Sequence, residues 1–270
     1  MLAGVYIANR KDHTIYYRSS LTYRNKHISL GSYDTEQRAH EAYNSALSLL
    51  EGNTTIDDAI LAPSLLSLDK IVTLINFRDN HMYIPTPIYL RKNYFSYYLA
   101  ADCELKFDID DLFYYSGHKI LKRQGHLYIN DYGMQITLLT RYGIKSHAVC
   151  ERDYRFVNGD TNDFRYSNIE VINPYFGVTR YTQNGTFRYR VRLHINGNYT
   201  IGTYRDLTRA AIAYNKAVDL AHQAGITKKY PENYIEDLSA RDYAEIYTKV
   251  KISEKYLDYL HTIKESRNLP

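Results

Sequence analysis

Arg188, Arg190, Arg192 and His194 stand at every second position of the stretch FRYRVRLHINGNYTIGTY, residues 187–204. Side chains two apart on an extended strand share one face, so this spacing sets three guanidinium groups and an imidazole in a row. A guanidinium is a planar fork that matches phosphate oxygens and the O6/N7 edge of guanine. The chemistry such a row can do is recognition of a polyanion. Bond-breaking chemistry is less well supplied. Cys103 and Cys150 lack CxxC spacing, so neither a zinc site nor a disulfide framework is indicated, and both read as reduced thiols. His118, His126 and His147 have no metal-ligand spacing, and the acidic run Asp108 to Asp111 reads as a solvated turn. No cofactor and no bound metal are expected.

The row needs a sheet to carry it. Asn196-Gly197 is a hairpin signal, because a two-residue turn requires positive φ at both positions. It would join a strand over 187–195 to another over 199–204. Tyr189, Val191, Leu193 and Ile195 then point to the face opposite the arginines. Ala210, Ala213, Tyr214 and Ala217 recur at helical spacing, which predicts a helix from about Leu207 to Ala224 that covers the apolar face. Three antiparallel strands on one helix, with the uncovered face basic, is the expected product.

Charge is concentrated in the same place. Between Tyr175 and Lys229 nine Lys and Arg stand against two Asp, a net of +7, so the remainder of a chain of net charge +4 sums to −3. That asymmetry fits one segment meeting a polyanion. No run of residues has the length and apolarity of a membrane span, and the N-terminus lacks the pattern of a secretion signal, so a cytoplasmic protein is expected.

The chain also repeats itself. ISLGSYDTEQRAHEAYNSAL (28–47) aligns without gaps to YTIGTYRDLTRAAIAYNKAV (199–218), and Gly4-Val5 matches Gly177-Val178. One small module therefore occurs at both ends. In the first copy the outward positions are read as Tyr16, Arg18, Ser20 and Thr22, a less cationic set.

Gly177-Val178, the alternating strand, IGTY (201–204) and RAAIAYNKA (209–217) resemble the Apetala/ethylene-response-factor DNA-binding domain, with weaker counterparts in residues 4–47. The resemblance covers roughly 50 residues at each end. It implies a three-stranded sheet lying in the major groove of double-stranded DNA. By position it places Thr179, Tyr181, Arg190 and Arg192 at the DNA in the second copy; the alternating spacing adds Arg188 and His194, and the site expected in the first copy is Tyr6, Arg10, Tyr16, Arg18 and Ser20. The family's arginines just after Gly-Val are Thr179 and Tyr181 here, so base preference does not transfer.

The middle, residues 80–173, reads as short strands, a brief helix or turn over Asp108 to Tyr115, and a helix over Tyr132 to Ile144. DYRFVNGDTNDFRYSNIEVIN (153–173) resembles the ββα-metal core of homing-type HNH endonucleases: Gly159, Asp160, Arg165, Asn168 and Ile169 keep its spacing, with Asn158 in the place of its Asp. Such a nuclease needs a histidine base and metal ligands. The base position holds Phe156, its metal-ligand neighbour is Arg155, the histidine of the preceding helix falls on Gln135, and the later metal-binding asparagine falls at Asp163 or Phe164. The domain is therefore expected to be degenerate, without catalytic residues.

Residues 230–270 read as two helices, with Tyr243, Ile246, Tyr247 and Val250 on one stripe and Tyr256, Tyr259 and Leu260 on another, packed on the second module; a dimer or partner surface is the rival reading. The expectation is an α+β protein: module 1–52, a linker and helix over 53–79, an HNH-like domain over 80–173, module 174–229 and a helical tail. Its expected function is sequence-preferring, non-hydrolytic DNA binding in a bacterial or phage-infected cell, nucleoid-associated. The alternatives are an active metal-dependent endonuclease, or an interaction scaffold that binds RNA or an acidic protein.

Overall fold

The computed structural model describes residues 1–267 of a mixed α+β chain. It divides into two units: residues 1–142 with 156–169, and residues 143–155 with those from 170 onward.

In the first unit, β1 (Val5–Asn9), β2 (Ile15–Tyr23) and β3 (Lys26–Tyr33) form an antiparallel sheet in that order. Helix α1 (Glu36–Glu51) starts at Thr35, whose hydroxyl accepts the Arg38 N–H at 3.2 Å, satisfying one of the orphan donors of the first turn. Ala39, Ala42, Ala46 and Leu50 are its buried stripe, and the core there includes Leu21, Ile28 and Leu30. The segment 53–79 carries α2 (Ile56–Leu61) and most of α3 (Leu68–Asn80). Every residue from Ile71 to Phe77 is buried, so α3 is a central core helix. Then come the sheet of β4 (Ile88–Leu90), β5 (Tyr94–Ala100) and β6 (Cys103–Asp108), the short helix α4 (Leu112–Gly117), and the sheet of β7 (Ile120–Arg123), β8 (His126–Asp131) and β9 (Met134–Thr137).

The helix expected over 132–144 does not form. Tyr132 and Gly133 have φ of 47° and 77°, a two-residue turn that pairs Asp131 with Met134 and turns the chain back as β9. Two consecutive left-handed residues cannot start a right-handed helix, and only a 3-10 turn over Leu138–Tyr142 follows. β10 (Tyr154–Phe156) and β11 (Ile169–Val171) form a two-stranded ladder, and the chain passes from β11 to the next strand with no intervening helix. Residues 153–173 thus form two short strands, and the helix that the resemblance implied after them is not there.

In the second unit, β12 (Val178–Gln183), β13 (Thr186–His194) and β14 (Asn198–Tyr204) form an antiparallel sheet covered by α5 (Leu207–Gln223). Asp206 caps α5 by accepting the Arg209 N–H at 2.8 Å. Asn196-Gly197 is not the tight turn that the sequence implied. Neither residue has positive φ, and His194 pairs with Asn198 across a three-residue loop. The two-residue turn is Asn184-Gly185, with φ of 50° and 71°, between β12 and β13. Helices α6 (Ala240–Lys249) and α7 (Glu254–Arg267) belong to this unit's core: Tyr256 and Leu260 lie buried beside Val191, Leu193 and Ile201, while Val250, with Tyr243, Ile246 and Tyr247, packs against Ile212 and Ala213 of α5.

The sequence repeat is a structural one, down to its irregularities. Val5 pairs with Ser19 as Val178 pairs with Val191, and Arg18 with Ser32 as Arg190 with Thr203. Each ladder slips at the same step, between Ser19 and Ser20 and between Val191 and Arg192. Gly4 and Gly177 have φ of 73° and 68°, and at each a Cβ would stand 2.0 and 2.3 Å from a ring atom of Tyr43 and Tyr214. Among the described residues no helix is long and apolar enough to cross a membrane.

Candidate nucleic-acid interface

The β-ladders decide which side chains share the face away from α5. Thr179 lies opposite Arg190, which lies opposite Thr203, and Tyr181 lies opposite Arg188. Residues directly opposite in a ladder project to the same face, so Thr179, Tyr181, Arg188, Arg190 and Thr203 form one surface. The ladder slip lies on β14: Gly202 pairs with Val191 and Thr200 with Arg192, leaving Ile201 to the core. β13 itself stays regular, and Arg192 and His194 continue the row, both exposed. The Arg190 guanidinium stands 4.7 Å from the centre of the Tyr181 ring, which holds it against the sheet.

Among the described residues no carboxylate lies within salt-bridge distance of Arg188, Arg190 or Arg192, and no acidic residue occurs from Val171 to Arg205. Arg180, on the other face, behaves differently: it lies 3.8 Å from the Glu170 carboxylate and over the Phe187 ring. Arg180 is thus paired to a carboxylate, whereas in the row Arg192 and His194 are exposed and Arg188 and Arg190 half-buried.

The first sheet has the same geometry and other side chains. Tyr6 lies opposite Arg18, and Ala8 opposite Tyr16. Tyr6 is 55% exposed, and the Tyr16 hydroxyl accepts from Arg18 at 2.8 Å. Arg10 is exposed on the loop after β1, 3.9 Å from Asp34. Ser20 differs from its expected exposure. It holds the register position of Arg192, yet it is only 7% exposed, because one hydroxyl on the central strand does not clear the flanking strands as an arginine does.

The HNH-like loop folds around its own polar groups. The Asp163 carboxylate is fully buried and accepts from Arg165 Nε at 2.8 Å and Asn158 Nδ2 at 3.0 Å. Asn168 donates to the Asp163 carbonyl and accepts the Asn158 N–H, and Asp160 accepts Lys106 Nζ at 3.0 Å. Burial raises the Asp163 carboxyl, and its hydrogen bonds, with Arg165 foremost, outweigh burial and hold it below its ordinary value. Phe156 packs edge-on against Phe164, and Arg155 is ion-paired to Glu170 at 2.7 Å. Gln135 lies on β9 opposite Asn130 and not on a helix. The Asp108 to Asp111 run is no solvated turn at its end: Asp111 is buried and ion-paired to Arg141. Among the described residues no group of three or more His, Cys, Asp or Glu is placed to hold a metal ion.

One feature of the second unit had no simple signal in the sequence. The segment 143–155 lies beside the Gly177–Thr179 and Arg192–His194 ends of β12 and β13, enclosing an open cleft of about 520 Å³. It brings Lys145, His147 and Arg152 to the cleft, and the stretch after α5 brings Lys228 and Lys229. The adjacent lysines were visible as charge. That Lys145 joins them depends on a contact made from outside the module. Comparison with family models, with curated proteins and with solved structures finds no match for this chain.

Proposed function

We propose that this protein binds double-stranded DNA, with some sequence preference and without hydrolysing it, through the sheet face formed by β12, β13 and β14. The observation that carries the reading is the row Arg188, Arg190, Arg192 and His194. It stands on the face away from the covering helix, with no carboxylate paired to its arginines among the described residues and with hydrogen-bonding neighbours in Thr179 and Tyr181. A two- or three-stranded ribbon fits the major groove, and arginine forks offer bidentate bonds to guanine. The resemblance of both end modules to Apetala/ethylene-response-factor domains supports the same reading, and the first module is a second, weaker contact. The non-hydrolytic part rests on residue type: Phe156 stands where a base is required and cannot accept a proton, and Arg155 beside it repels a divalent cation.

Selection of bound sequences from a random duplex pool, followed by titration of the selected site, tests this. Arg192→Ala should weaken binding to the selected site by ~1 to 3 kcal/mol and weaken binding to random duplex less, because base-edge bonds discriminate and phosphate bonds do not. Equal losses on both would reassign Arg192 to phosphate, and no loss on either would remove the sheet from the interface.

A further inference from the structure

The cleft at the end of the recognition strand lies beyond the sheet face just described. Four of its cations come from three separate stretches of chain: Lys145 from the segment before β10, Arg192 from β13, and Lys228 with Lys229 from the turn after α5. None of the four has a carboxylate within salt-bridge distance among the described residues. One carboxylate lines the cleft, and it is already occupied: Asp153 accepts the Val149 N–H at 2.8 Å, Arg152 at 2.6 Å and Asn173 Nδ2 at 3.1 Å. The Lys145 ammonium lies 4.3 Å from the centre of the Phe176 ring, which holds it at the wall. Lys228 is tied to the strand end through a hydrogen bond from its ammonium to the His194 carbonyl at 3.0 Å.

We propose that this cleft receives backbone phosphates of the same duplex that lies on β13, so that the nucleic acid runs off the end of the recognition strand into a lysine-lined grip. The inference rests on the nucleic-acid reading above and adds to it a site that fixes position without reading sequence. Lysine suits the role, since a compact ammonium serves a phosphate as a point charge and carries no base preference. Burial lowers the Lys145 ammonium to about 8, with Asp153 opposing the shift. Its charge is present below that value and lost above it. The other ionisable groups lining the cleft are His147, Arg152, Asp153, Arg192, His194, Lys228, Lys229, Tyr175, Tyr214 and Tyr230.

The test uses the full chain and fluorescence anisotropy on the selected site and on random duplex at several salt concentrations. Lys145→Gln and Lys228→Gln should each weaken both duplexes by the same factor and reduce the salt slope by about 0.9, with Lys145→Arg restoring the slope. Between pH 7 and 9 the unaltered protein should lose affinity that Lys145→Gln does not lose further. Unchanged slopes in both glutamine variants, with thermal midpoints intact, would overturn the cleft, and Arg190→Ala, which lies on the sheet face and outside the cleft lining, would still report on the sheet. Pyrophosphate that binds in a Lys145-dependent way while duplex slopes stay unchanged would also overturn it, by assigning the cleft to free phosphates.

Discussion

At the scale of the residue, one glycine in each module, Gly4 and Gly177, lies against a tyrosine ring of the covering helix, and the second can be tested against a control in the same sheet. Gly177 has φ of 68°, and a Cβ there would lie 2.3 Å from the Tyr214 ring and 2.5 Å from the Arg192 carbonyl oxygen. Gly185 has nearly the same φ, 71°, and a Cβ there would meet nothing within 4 Å. Gly185→Ala therefore reports the cost of a left-handed alanine alone, ~1 to 2 kcal/mol. Gly177→Ala adds overlap with a packed ring and a backbone carbonyl, and should cost ~1 to 3 kcal/mol more. Urea unfolding of the two variants side by side checks the difference; equal losses would mean that Tyr214 moves aside freely. The glycine also fastens the C-terminal part of β13, because its carbonyl accepts the Arg192 N–H at 2.8 Å.

At the scale of the element, the tail helices complete the second unit's core. Tyr256 is almost wholly buried, and its hydroxyl donates to the Ala217 carbonyl at 2.8 Å. Tyr256→Ala should destabilise this unit by ~3 to 5 kcal/mol, as for other large aromatic truncations. Thermal unfolding followed by circular dichroism reads this, and a loss under 1 kcal/mol would make α7 an appendage. Much of this was legible in the sequence. Helix α5 was announced by its alanine stripe, and the sheet by alternation and the repeat. What failed to read did so for local reasons. Ile136, Leu138 and Leu139 have a spacing that fits a helix, and Tyr132-Gly133 decided for a hairpin by taking two left-handed conformations. Each hairpin of the second sheet carries an Asn-Gly pair, and only Asn184-Gly185, with Gln183 paired directly to Thr186, forms the two-residue turn; Asn196-Gly197 lies in a three-residue loop between His194 and Asn198. The row of cations on β13 was legible because period two needs no tertiary information. The cleft was not, because Lys145 lies some 47 residues from Arg192 in sequence and nothing local connects them.

At the scale of the whole molecule, one chain carries two copies of the same sheet with different faces. If both engage one duplex, the second contact is intramolecular and avidity exceeds either module alone. Neutralising the first module in the full chain, with Arg10→Ala and Arg18→Ala together, should then lower affinity by ~10-fold or more and reduce the salt slope by about 2. Sequence preference on the selected site should change little if the second module does the reading. Salt-dependent anisotropy measures both quantities; unchanged affinity and slope would give the first module a role away from DNA.

The division of the chain into units has a consequence for the order in which the molecule is made. Residues 156–169 belong with 1–142, and they supply the partners of β6: the Asn162 carbonyl accepts the Lys106 N–H at 2.9 Å, the Phe164 N–H donates to the Lys106 carbonyl at 2.8 Å, and the Phe164 ring stacks on Phe107. During synthesis from the N-terminus, a nascent chain that has reached Tyr142 still has the Lys106 backbone groups without these partners and Phe107 without its cover. The first unit closes only after Ile169 has been added. By then residues 143–155 have also been made, ahead of the strands β12 to β14 with which they form the second unit.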